Sequence, residues 1–459
     1  MNPTSTNSTS KHSTQSQPEE VKQNPHDEMP PGIPYIIGNE IAERFSFYGM
    51  RVLLVIFMTE YLKDSSGNLA VMNEEQAKAW YHLFVSAVYF FPLLGAFISD
   101  IFWGKYKTIF YLSIVYCFGH LVLAIDNTRI GLAIGLTLIA IGSGGIKPCV
   151  SANVGDQFTK SNLHLMSKVF GWFYFAINLG SAVSTILTPY LLKKFGPHVA
   201  FGTPGFFMFL ATFVFWLGRH KYINVPPSGK KFIADILNID AIKTLFRLSM
   251  IYIFVAVFWA LYDQTGSAWI LQANYMNRNL FGKEWLPAQI YALNPILILG
   301  FIPLFTYVIY PMIEKVWRLT YLRKIGIGLF LTSLSFIPSA WIEHQISLGF
   351  QPHILWQCLA YVMITAAEIM VSITALEFSY TQAPNSMKSF IMSFYLLSIS
   401  LGDAFTALVN MILLNPALKT IFAGPRYYLF FAGLMFIASL LFIPVALKFK
   451  ERVFVQGSD

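Results

Sequence analysis

The 459-residue chain is 55% hydrophobic and 16% aromatic, with only 12% charged residues, about half the charge that keeps an ordinary soluble domain in solution. Its mean hydropathy of +0.54 over this length excludes a secreted disulfide scaffold, a disordered chain and an ordinary cytosolic enzyme. The net charge of +8 is not a nucleic-acid footprint, because the Lys and Arg gather in short loops between apolar runs, where they set membrane orientation.

Residues 1–31 are rich in Ser, Thr, Asn, Gln and Pro. They lack the apolar core of a signal peptide and read as a disordered cytoplasmic tail. From Ile33 on, apolar runs long enough to cross a ~30 Å hydrocarbon layer as helices recur. The predicted spans are 33–62, 78–100, 106–126, 130–156, 167–192, 201–218, 246–274, 287–312, 321–342, 353–380, 387–414 and 426–448. This predicts an all-α membrane protein with twelve transmembrane helices in two six-helix bundles, at 32–218 and 246–449. A basic cytoplasmic linker at 219–245 (Arg219, Lys221, Lys230, Lys231, Lys243) joins them, and 450–459 form a C-terminal tail. With both termini inside, roughly two-thirds of the 32 Lys and Arg fall on the inner face, as the positive-inside rule requires. Six spans, a basic linker and six more spans is the plan of the major facilitator superfamily.

Cys117, Cys149 and Cys358 lie in apolar stretches without CxxC spacing and read as small core residues. The chain contains no GxxxxGK[ST] run, no HExxH and no paired transmembrane aspartates. The expectation is therefore a non-enzyme without cofactor, driven by an ion gradient.

The first span holds Glu40, Glu43, Arg44 and Arg51, each costing about 2.5–3.5 kcal/mol or more at mid-bilayer if unpaired. At 100° per residue they share, with Phe47 and Tyr48, an arc of roughly 140°, which must face a cavity or other helices. In the fourth span Gly142-Ser143-Gly144-Gly145-Ile146-Lys147-Pro148 combines close-approach glycines, a helix-bending proline and a lysine too deep to snorkel. That lysine needs a carboxylate, with Glu40 or Glu43 as the natural partner, and protonating the partner would free it. Asn178, Asp263, Asn294 and Glu368 add polar groups to spans five, seven, eight and ten. The first half thus supplies surplus cation (Arg44, Arg51, Lys147) and the second supplies anion (Asp263, Glu368). A site with fixed opposite poles suits a zwitterion such as a free peptide.

These elements resemble the proton-dependent oligopeptide transporter family (POT/PTR) of the major facilitator superfamily. The resemblance rests on ExxERFxxYG at Glu40–Gly49, GGIKP at Gly144–Pro148, FYxxINxGS at Phe173–Ser181, FWALYDQxGS at Phe258–Ser267 and EFSYTQAP at Glu377–Pro384. It implies that Arg51 and Lys147 hold the peptide carboxylate, Asn178 and Asn294 its backbone and Glu368 its amino terminus. Tyr48, Tyr89 and Trp269 would line the pocket. Glu40, Glu43, Arg44 and Lys147 would form the proton-coupling cluster, joined by Asp263 opposite Arg51 and by His82 in span two.

The expectation is a proton-coupled importer of di- and tripeptides, monomeric, in a plasma or inner membrane, with protons and peptide as its partners and no nucleic acid. A same-fold carrier of nitrate or an amino-acid conjugate, or a non-transporting sensor, is the alternative. Four departures stand out. Phe47 replaces a second tyrosine, and the linker is too short for two extra helices. Residues 344–351 leave no room for a large outer domain, and Asp403 in span eleven stands where relatives carry a neutral residue.

Overall fold

The computed structural model describes residues 29–159, 162–229, 232–234, 237–382 and 388–449. The tails expected at 1–31 and 450–459 lie almost wholly outside them. Among the described residues eleven helices are long and apolar enough to cross a membrane. They are α2 (Glu74–Trp103), α3 (Lys105–Ile125), α4 (Arg129–Asp156), α5 (Met166–Phe195), α6 (Pro197–His220), α7 (Ala241–Ala273), α8 (Pro287–Glu314), α9 (Tyr321–Ser347), α10 (Leu355–Thr381), α11 (Phe390–Ile412) and α12 (Pro425–Lys448). The helix before them, α1 (Ile33–Arg51), continues through a short turn to Tyr61. It misses the apolar criterion because of its own four charges. The charges that mark the first span as functional are thus what lower its hydropathy.

Helix starts follow local chemistry. Asn73 and Gln76 form a reciprocal capping box at α2, and the Thr128 and Thr320 hydroxyls accept backbone N–H bonds at α4 and α9, each satisfying an otherwise orphaned donor. One boundary differs from the sequence reading: the helix leading into α7 begins at Ile239 rather than at 246, so part of the expected linker is helical. Pro148 lies inside α4, within the span expected at 130–156. A two-stranded hairpin, β1 (Asn279–Leu280) and β2 (Lys283–Glu284), caps the α7–α8 connection.

The buried apolar residues form two large clusters. One draws on Ile33 through Tyr222 with four residues of α7 and α8, the other on Phe232 through Phe442. Helix pairs approach closely where the sequence offers glycine: a Cβ on Gly95 of α2 would stand 2.2 Å from the Gly145 carbonyl oxygen of α4. That backbone-to-backbone contact explains the glycine run beside Lys147.

The two halves meet along α2 against α11 and α5 against α8. Among the described residues three ion pairs join them at one end of the rods, Arg51–Asp263, His82–Asp403 and Glu75–Lys419. Ser86 and Ser400 add reciprocal bonds, each hydroxyl donating to the other's carbonyl at 2.8–2.9 Å. This far end, opposite the start of α1, is closed by charge as well as by packing.

Candidate functional site: a charged constellation between the two halves

In α1, Arg44 Nε lies 2.7 Å from Glu40 Oε1 and 2.9 Å from Glu43 Oε2. One guanidinium therefore serves two carboxylates, and the set keeps one surplus negative charge when both are ionised. Glu40 and Glu43 are each 1% exposed, so that surplus sits where uncompensated charge costs several kcal/mol.

Lys147 departs from expectation. Among the described residues it makes no ion pair with Glu40 or Glu43, and its Nζ is buried with no hydrogen-bond acceptor. Arg44 hydrogen-bonds Glu40 and ion-pairs with Glu43, whose two oxygens are otherwise without a donor. The ammonium rests on ring faces instead, 3.8 Å from the Tyr89 centroid and 4.6 Å from that of Phe47. A desolvated cation–π contact contributes about 2 kcal/mol, less than a buried ammonium loses on leaving water. Lys147 is therefore an unsatisfied cation within electrostatic reach of Glu43, Arg44, Arg51 and Asp263.

Phe47 thus serves as part of the lysine's seat. Tyr48 lies within reach of Arg44, Arg51 and Glu43 and, across the interface, of Glu368. The cationic and anionic residues named from sequence therefore converge on one region. Tyr48, Tyr89, Lys147 and Glu368 keep accessible surface there, whereas Arg51 and Asp263 are only 4% and 2% exposed.

On the second half, Asn294 Nδ2 donates to Glu368 Oε2 at 2.8 Å and to Thr365 Oγ1 at 3.1 Å, and its own Oδ1 accepts from the Tyr262 hydroxyl. Asn294 is thus committed to orienting Glu368. Glu368 ends an α-helical stretch just before a π-helical turn at Ile369–Ile373, an irregularity that often marks functional positions. Asn178 donates to the Tyr174 carbonyl of its own helix at 2.9 Å.

Trp269 departs from expectation too: it is fully buried, edge-on to Tyr361 at 5.0 Å and packed on Phe336. Its bulk fills the second half's core instead of lining the pocket.

At the far end Arg51 bonds Asp263, and its Nε donates to the Tyr81 hydroxyl at 2.7 Å. His82 lies 2.6 Å from Asp403 and 2.8 Å from Ser267. The backbone here unwinds into a tight turn at Asp263–Gly266, which admits Tyr81: a Cβ on Gly266 would stand 2.0 Å from its hydroxyl. Gly266→Ala is therefore expected to push Tyr81 off Arg51 at a cost of about 1–3 kcal/mol, seen as a lower unfolding temperature of the purified protein. Tyr81, Tyr262, Tyr291, Ser267 and Thr365 join the site without being marked as site residues in the sequence. Nothing local marks them beyond their place beside residues already singled out.

Eleven membrane-length apolar helices among the described residues, with α1 beside them and ionisable groups of both halves meeting between the clusters, define a multi-pass integral membrane protein whose interior is built around charge. The POT family profile matches residues 106–239 and 233–424. "Peptide transporter family 1" of Drosophila melanogaster is 38% identical over 364 residues, covering 69% of this chain and 48% of that protein. "Solute carrier family 15 member 2" of Rattus norvegicus is 37% identical over 400 residues, covering 76% of this chain and 53% of that one. A crystal structure of an auto-inhibited POT family peptide transporter superposes with a TM-score of 0.84 at 33% identity, covering 92% of this chain and 98% of that one. The chain belongs to the POT family and has its major facilitator superfamily fold. It spans about half the length of the curated relatives it matches.

Proposed function

We propose that the protein is a proton-coupled symporter that imports di- and tripeptides by alternating access, with both termini cytoplasmic and the closed far end facing outside. The observation that carries this reading is the unsatisfied Lys147 ammonium, with Arg51 on the same half and the oriented Glu368 carboxylate on the other. A free dipeptide supplies a carboxylate for the first pole and an ammonium for the second, and in bridging them draws the halves together. A plain anion would leave Glu368 without a counter-charge.

Coupling follows from charge arithmetic. The surplus negative charge on Glu40–Glu43–Arg44 is balanced either by a proton or by the approach of Lys147, but not by both. When a proton occupies the cluster, Lys147 turns to the substrate carboxylate. When the proton leaves inward, the cluster reclaims Lys147 and the peptide is released. Asp263 serves in the same cycle by latching Arg51 when the outer end is shut, and His82 joins it there. Tyr48 and Tyr89 line the path, with Asn178 nearby on α5. The chain would work as a monomer, with the proton gradient in place of any cofactor.

The test is uptake of a labelled dipeptide into liposomes holding the full chain, with and without an imposed inward proton gradient. The expected result is accumulation above the outer concentration only with the gradient. Equal uptake in both conditions would leave a passive carrier, and no uptake at all would favour a sensor.

A further inference from the structure

A groove of about 250 Å³ lies between α2 and α4, away from the charged constellation. Its walls are two stripes at helical spacing, from Trp80 to Phe91 on α2 and from Arg129 to Ala140 on α4. Both helices start at the closed end of the molecule, where Arg129 Nη2 donates to the Ala70 carbonyl just before α2. Each stripe rises about 16 Å along its helix, roughly half of a ~30 Å hydrocarbon layer.

Glycine ends the groove at depth. A Cβ on Gly144 would stand 2.6 Å from the Val88 carbonyl oxygen, and one on Gly95 would meet the Gly145 backbone, so α2 and α4 touch from there inward. Trp80 and Leu83 on the rim are 48% and 39% exposed, while Phe84, Leu132 and Leu136 are buried beneath them. The result is an apolar slot one leaflet deep, stopped near mid-bilayer and headed by a cation.

We propose that this slot is a phospholipid site: it holds one acyl chain of a glycerophospholipid from the leaflet at the closed end, with the lipid's phosphate on Arg129. Charge complementarity decides the occupant. Arg129 is exposed and is the charged residue among the groove's described lining. Its guanidinium spends one donor on the neutral Ala70 carbonyl and, among the described residues, forms no ion pair. Asp64 and Asp126 in the adjoining loops turn an oxygen to their own backbone N–H groups, and Lys63 stands between them and Arg129, its N–H on the Asn127 carbonyl. The planar fork of an arginine matches phosphate oxygens at two points, and Trp80 sits at the same level with the amphipathic ring that favours the membrane interface.

The larger groove between α3 and α6, about 700 Å³, has no Lys, Arg, Asp or Glu on its described walls. Any lipid tail can fill that one, and nothing in it selects a headgroup. The α2–α4 slot differs because tail and phosphate are recognised together. A chain lying in it bridges the two helices that carry Tyr89 and Lys147.

The test needs neither substrate nor gradient, so it stands apart from the symport reading. The full chain in detergent is titrated with dioleoyl phosphatidylglycerol and with dioleoylglycerol, which has the same tails and no phosphate, and adducts are counted by native mass spectrometry. The expected result is a phosphatidylglycerol adduct that Arg129→Gln weakens about tenfold and that dioleoylglycerol does not reproduce. Ala133→Trp fills the slot from an exposed position and should remove the adduct without disturbing the core. Lys283→Gln, which discharges an exposed residue on the α7–α8 hairpin, should leave it unchanged. Equal binding in Arg129→Gln, equal binding of dioleoylglycerol, or an equal loss in Lys283→Gln overturns the proposal. A mass of two chains in place of the lipid adduct assigns the slot to a second copy and overturns it as well.

Discussion

Replacing Lys147 by alanine is expected to leave peptide exchange measurable while abolishing proton-driven concentration. One proton moving down 100 mV contributes about 2.3 kcal/mol, enough for roughly 50-fold accumulation, and that factor should fall to about one. The reason lies in the lysine's position. Its ammonium has no acceptor and rests on Tyr89 and Phe47, while Glu40 and Glu43 are both held by Arg44. The lysine is thus the movable cation for which the substrate carboxylate and the deprotonated cluster compete. Alanine removes the competitor, so proton and peptide no longer exclude or require each other. Arg51 remains to hold the carboxylate, which is why exchange survives at reduced affinity. Counterflow and gradient-driven uptake of one labelled dipeptide, measured side by side, check this. Undiminished accumulation would remove Lys147 from the coupling step.

The second large effect concerns Glu368. Glu368→Gln is expected to weaken binding of peptides with a free amino terminus by about 2–3 kcal/mol, or roughly 30–150-fold. Amino-acetylated peptides should be affected little. Asn294 fixes the Glu368 carboxylate and is itself fixed by Tyr262, so the charge is presented in one orientation and its loss is not made good by a neighbour. Competition assays with matched free and acetylated dipeptides separate this from general damage to the site. A variant indifferent to the amino terminus would point to the anion-carrier reading.

These expectations rest on a site that is partly legible in the sequence. The four charges of the first span had to face inward, because lipid would not accept them. The same argument covers Lys147, Asp263 and Glu368, since burial cost depends on residue type and span position, and both are written in the chain. Partner choice was less visible. A deep cation such as Lys147 needs a carboxylate, yet Arg44 is four residues from Glu40 and adjacent to Glu43, and it ion-pairs with both by proximity on the same helix. The resemblance implies a pocket role for Trp269, but the unwound turn before it directs the indole into the second half's core against Tyr361.

Sequence by itself determined the membrane class and the inventory of buried charge, because these follow from local hydropathy and the energy of taking charge out of water. Tertiary structure alone decided which charges meet. Arg51 finds Asp263, 212 residues away, and His82 finds Asp403 across 321, through helix packing that no local pattern encodes. The orphaned lysine is a property of that packing, for it is defined by the ring faces rather than acceptors that surround its ammonium.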